Sequence, residues 1–183
     1  GRDDLIVLWD FAHRQIISSL DFSQGRITSL KISPAGKYLL AGSTDHKVYL
    51  YDISGNKLIR EFADHSEVIT SVAFSPDEKY FASSSGDKTI RLYDLESQNL
   101  ITSLKAHRAW IRDISFTEYG TRLVSCGDDA KMIIWNISDI RNPEIYDKIK
   151  IKSSWLLSVN AHRENRVYAL GSFNGRAYIT GAF

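Results

Sequence analysis

Three residues of this chain have the types that nucleophilic catalysis uses. His107, Ser125 and Asp129 supply an imidazole, a hydroxyl and a carboxylate within a short stretch. As a Ser-His-Asp triad they could drive acyl transfer, given an exposed nucleophile, an oxyanion hole and a substrate cleft. The same three types stand one step earlier as His65, Ser83 and Asp87, each 42 residues upstream of its counterpart. A catalytic centre occurs once, whereas a structural device recurs with its repeat. The recurrence assigns both sets a structural role, and no catalytic residue is expected.

The other chemistries are equally thin. His13, His46 and His162 lack the HExxH or Cys/His spacing of a metal site. Cys126 is the only cysteine, so an intrachain disulfide and a Cys-rich metal centre are excluded. The glycines form no GxGxxG or P-loop pattern, and no cofactor is expected. Asn136-Ile137-Ser138 matches a glycosylation sequon, but it stands at a strand end and reads as coincidence. The net charge of +1 leaves no field that would gather nucleic acid or an acidic membrane. Apolar runs are too short to span a bilayer, and the start carries no signal-peptide pattern. Gly1 is not an initiator Met, so a processed chain or a fragment is expected. The lone cysteine fits a reducing compartment, giving a cytoplasmic expectation with the nucleus as alternative.

What must position these residues is a repeat. The runs LIVLWD, KVYLYD, TIRLYD and KMIIWN place Trp9, Tyr51, Tyr93 and Trp135 at equal steps of 42. Asp3, Asp45, Asp87 and Asp129 keep the same step, as do Ser33-Pro34 and Ser75-Pro76. A further, divergent copy ends in Asn174-Gly175 and Ala177 to Thr180, displaced by three residues because the stretch from Ile140 to Lys150 is longer. Within one unit, Leu58–Phe62, Ile69–Phe74, Lys79–Ser84 and Thr89–Tyr93 read as strands, being short, β-branched and aromatic-rich. Ser75-Pro76-Asp77-Glu78 reads as a type I turn with proline where its fixed φ suits. Lys148, Lys150 and Lys152 alternate with Ile149 and Ile151, as on a strand with one wet face, and would discourage edge pairing. Four strands every 42 residues make an all-β chain of antiparallel sheets repeated radially.

These units resemble WD40 repeats over almost the whole chain, with Trp9-Asp10, Tyr51-Asp52, Tyr93-Asp94 and Trp135-Asn136 at the WD position. The resemblance implies a β-propeller of four-stranded blades. It divides the chain into the end of one repeat at 1–10 and four more at 11–52, 53–94, 95–136 and 137–181, the last divergent. It also implies a buried tetrad of His, Ser or Thr, Asp and Trp. His107, Ser125, Asp129 and Trp135 match it fully; His65, Ser83, Asp87 and Tyr93 match it with tyrosine for tryptophan, and Tyr93→Trp is expected to be tolerated. Ser23, Ala41, Asp45 and Tyr51 keep only the Asp, and Lys152, Leu170, Asn174 and Thr180 keep none.

In such a propeller, the slot before each inner strand opens onto one face near the central channel. That slot holds Arg26, Val68, Trp110 and Trp155, with Arg108 and Arg112 beside Trp110. Trp and Arg are the residues of binding hot spots, so Arg26, Arg108, Trp110, Arg112 and Trp155 are the candidate partner-binding set. The competing reading has each Trp lying flat on the next blade as a seal. Seven blades of this period would need about 294 residues, so a partial or incompletely closed propeller is expected. Its edges would be met by the remainder of its own propeller or by another chain. The expected function is a protein–protein interaction scaffold within a multi-subunit complex. The alternatives are a regulatory repeat region of a larger enzyme-containing chain and a reader of modified peptides or nucleic acid. Membrane, nucleic-acid and small-molecule partners are not expected.

Overall fold

The computed structural model describes residues 5–21, 25–117, 119–151, 155–161 and 167–181. Asp3, Ser23, Lys152, His162 and the side chain of Thr180 lie outside them. The described residues run through strands with no helix. β1 (Leu5–Asp10) and β2 (Gln15–Asp21) form a two-stranded sheet. β3 (Ile27–Ile32), β4 (Tyr38–Ser43), β5 (Val48–Asp52) and β6 (Lys57–Phe62) form the first complete blade. The second holds β7 (Ile69–Phe74), β8 (Tyr80–Ser85), β9 (Thr89–Asp94) and β10 (Leu100–Lys105). The third holds β11 (Ile111–Phe116), β12 (Arg122–Gly127), β13 (Lys131–Asn136) and β14 (Glu144–Lys150). The last sheet has three strands, β15 (Leu156–Ala161), β16 (Val167–Ser172) and β17 (Ala177–Gly181). All pairings are antiparallel, and the sheets do not close into a ring.

The strands match their expected positions within a residue, but the blades are out of phase with the repeat. Leu58–Phe62 opens a sequence unit, yet β6 pairs with β5 of the unit before it. Each 42-residue unit therefore gives its first strand to the preceding sheet. Consecutive blades share one unit of sequence, and this ties them covalently at their outer edges.

The core lies between sheets. The run Thr89–Asp94 carries apolar residues on both faces because both are covered. Ile90 and Leu92 pack with Ile111, Leu123 and Trp135 of the third blade, while Tyr93 packs with Leu50 and Phe62 of the first. In β13, Ile133 and Trp135 face backwards while Met132 and Ile134 face Leu156 and Leu170 of the last sheet. Sheets stacked face to face at about 10 Å demand this pattern of continuous apolar strands. Near the axis, polar residues on the same 42-residue step join the blades. The Ser29 hydroxyl accepts from Val72 N at 3.2 Å, and Ser71 donates to the Asp113 carboxylate at 2.7 Å. The other Asp113 oxygen accepts from Val159 N at 2.9 Å.

Turn geometry repeats as well. The residue after each hairpin Asp has positive φ: His46 at 72°, Lys88 at 71° and Ala130 at 57°, with Gly175 at 75° in the divergent copy. In the first three turns the Asp carboxylate accepts from the backbone N–H two residues on, at 2.9–3.2 Å. That local bond holds a non-glycine residue in the left-handed region.

Candidate functional site

The two expected tetrads have this geometry. His107 Nδ1 lies 2.9 Å from Asp129, and its Nε2 lies 2.8 Å from Ser125 Oγ, which accepts the Trp135 indole N–H at 3.0 Å. The Asp129 carboxylate can only accept, so the ring nitrogen facing it, Nδ1, is the donor of that bond. Ser125 is fully buried and His107 is 7% exposed. The connectivity is that of a Ser-His-Asp triad, but the serine oxygen is out of solvent and already holds the indole N–H. It has no approach for a substrate carbonyl.

In the second set, His65 lies 2.7 Å from Asp87 and 2.8 Å from Ser83. Burial pushes the His65 imidazole below its ordinary pKa, outweighing the pull of Asp87. Burial also acts to raise Asp87, but hydrogen bonds from Thr89 and His65 prevail and hold it below the usual carboxylate range. Asp129 behaves alike, with His107 and the Arg108 N–H overcoming burial. The Tyr93 hydroxyl donates to Asp64 at 3.1 Å. Burial, then the Asp64 charge, raises its pKa.

Where the tetrad pattern lapses, other contacts stand in. Ala41 and Leu170 occupy the serine slot as buried apolar residues, and Asp45 accepts from the Tyr49 hydroxyl instead. Trp9, at the WD position of the first copy, is 60% exposed because no described sheet covers that face of β1. Cys126 is buried, and burial raises its thiol well above the ordinary range.

The slots before the inner strands are equivalent in backbone. The carbonyls of Arg26, Val68, Trp110 and Trp155 accept from the N–H groups of Thr44, Gly86, Asp128 and Phe173 at 2.9–3.0 Å. Their side chains differ. Trp110 lies over Gly86 of the preceding blade, so closely that a Cβ there would sit 2.8 Å from the ring. The Arg112 guanidinium lies 5.0 Å from the ring centroid and forks onto Asp128 through two 2.7 Å bonds. Arg112 also sits at the register shift between Ile111 and Asp113, where a bulge re-aims the strand. Arg26 and Arg108 are exposed. Trp155 is 50% exposed and tilts against Phe173, itself 67% exposed, at a centroid distance of 5.4 Å. Phe173 was not among the sequence candidates. It occupies the register position of Asp128, and the change from acid to aromatic was its only signal.

A family model described as WD domain, G-beta repeat matches residues 7–52, 56–94 and 98–136. No curated protein matches the chain.

Proposed function

The chain belongs to the WD40-repeat family, and on that premise we propose that it is an interaction scaffold or adaptor, holding a partner protein at the face that carries Trp155 and Phe173. WD40 repeats in general mediate protein–protein interaction and are as a rule non-catalytic modules. The observation that carries the reading is the contrast between two equivalent slots. The Trp110 ring is spent on Gly86 and Arg112, whereas Trp155 and Phe173 leave half or more of their surface in water. A rigid, exposed aromatic pair on a stiff scaffold is what a binding hot spot requires. Its β16–β17 turn and the inner-strand slot are joined by a backbone hydrogen bond, which fixes the backbone that carries the pair, and each aromatic side chain has only two χ angles to lose on docking.

The test is partner capture by the full-length protein carrying Trp155→Ala and Phe173→Ala, beside a melting curve. Capture weakened about 30-fold, equivalent to about 2 kcal/mol, with an unchanged melt is the expected result. Unchanged capture with a lowered melt would make the pair a seal for an adjoining sheet and would sink the reading.

A further inference from the structure

We infer that Tyr146, at the bulge of β14, is a phosphorylation site. It accepts the γ-phosphoryl group of a nucleoside triphosphate from a tyrosine kinase, and Arg122 holds the phosphate once it is in place. The site lies on the outermost strand of the third blade and is independent of the reading given to Trp155 and Phe173.

Exposure and backbone geometry select this residue. Of the nine tyrosines, only Tyr119 and Tyr146 are exposed, at 78% and 51%. Tyr119 stands in the β11–β12 turn, just before Gly120 at a φ of 64°. Tyr146 stands in an extended strand. An acceptor segment enters a kinase groove extended, where its backbone can be held in the manner of an added strand. β14 is already extended, and within its sheet it is hydrogen-bonded to β13 alone. Its outer edge therefore keeps backbone donors and acceptors for another strand. Tyr146 is also the residue that the pairing skips, since Ile145 faces Trp135 and Asp147 faces Ile134. A bulge leaves its extra residue out of the ladder and re-aims the side chain.

The third blade departs from its neighbours at this place. In the first two blades the skipped residues are Ile59 and Ile101, and β4 and β8 open on Tyr38 and Tyr80. In the third, the skipped residue is the tyrosine and β12 opens on Arg122. The Arg122 guanidinium lies over the Tyr146 ring, 3.8 Å from its centroid. From there it has only to slide along the ring towards the hydroxyl to fork onto a phosphate. Glu144 and Asp147, both exposed, flank the tyrosine, with the aliphatic Ile145 directly before it. That charge pattern complements a basic substrate groove. After transfer the same carboxylates oppose the new charge, and Arg122 offsets them.

In the transfer, a bond forms between the Tyr146 hydroxyl oxygen and the γ-phosphorus as the bond from that phosphorus to the β–γ bridging oxygen breaks. The phenolic proton passes to the catalytic carboxylate of the kinase, and the nucleoside diphosphate leaves.

The test incubates the intact chain with magnesium, ATP and the purified catalytic domain of a tyrosine kinase selective for acidic flanks. A synthetic peptide of residues 141–151 runs in parallel, and peptide mass spectrometry maps the phosphate. Incorporation at Tyr146 about tenfold or more faster than at Tyr119 is expected, with none at that position in Tyr146→Phe. A second measurement follows the phosphorus resonance of the phosphorylated chain against pH. The second ionisation of the phosphate should lie lower in the parent than in Arg122→Gln, because a cation favours the dianion. The inference is overturned if the peptide takes phosphate and the folded chain does not, if neither does, or if Tyr119 is modified as fast. Incorporation only after unfolding in urea would overturn it too. An unchanged ionisation in Arg122→Gln would overturn the role given to Arg122.

Discussion

His107 is useful only through what it touches. Replacing it or Asp129 by Ala leaves buried polar groups without partners, at an expected cost of about 1–3 kcal/mol in denaturant melts. Ser125→Ala is expected to cost as much, since its oxygen serves both the Trp135 N–H and His107 Nε2. Equal stability of all three variants with the parent would mean the tetrad does not form. The acid side of the stability curve belongs to these sites too. The His65 imidazole is held below its ordinary value, so the unfolded chain takes that proton first. Stability is therefore full above about pH 6.5 and falls as the pH drops through that value towards the folded one. Asp87 and Asp129, both depressed, add a second loss as pH falls through about 4. Melting temperatures between pH 7.5 and 5 should decline, and His65→Gln should flatten the decline; an unaltered slope would place the titrating group elsewhere. The packing of Tyr93 argues against the sequence expectation for its replacement by tryptophan. Tyr93 stacks on Phe81 at 4.7 Å and meets Phe62 edge-on at 5.0 Å with no exposed surface. Tyr93→Trp is therefore expected to overpack that cluster by about 1–3 kcal/mol and to lose the bond to Asp64.

At the scale of the element, each hairpin and each bulge repeats with the period. The β12–β13 turn holds Ala130 at a φ of 57°, a region that costs a β-carbon about 1 kcal/mol. The divergent copy puts Gly175 at the equivalent position. Ala130→Gly is expected to raise stability by up to about 1 kcal/mol, less the entropy glycine adds to the unfolded chain. A lower midpoint in urea would mean that the Asp129 bond to Lys131 N already removes the strain. The strands themselves were legible from β-branched and aromatic runs bounded by Ser-Pro and Gly-Asp turns. Their assignment to sheets was not, because periodicity marks where a strand lies and not which neighbour it pairs with. β6 illustrates this, being continuous in sequence with the unit after it and hydrogen-bonded to the unit before it.

The whole molecule is an arc of stacked sheets, and its two end faces carry what interior faces bury. Leu5, Val7 and Trp9 are exposed on the first sheet, and Leu157 and Ile179 on the last. Exposed apolar sheet faces of this kind drive association. The chain of residues 1–183 alone is expected to self-associate as its concentration rises, and Ile179→Lys with Trp9→Lys to reduce this in sedimentation velocity. A parent that stays monomeric at all concentrations would refute the idea. Cys126 offers a complementary check on the middle of the arc. Buried between the third blade and the last sheet, with its thiol kept protonated, it should label with a maleimide only after unfolding.

From the sequence by itself came the period, the positions of the strands and the all-β class, which follow from local spacing that a linear chain carries openly. The residues of the two tetrads came from that register together with the resemblance to WD40 repeats. The same spacing made the Ser-His-Asp triad readable as structural, because it recurs. Only the tertiary structure decided which of two identical slots is used up and which is open. Trp110 and Trp155 have the same type and the same register, and they differ in what lies across from them: Gly86 and Arg112 for one, Phe173 and solvent for the other.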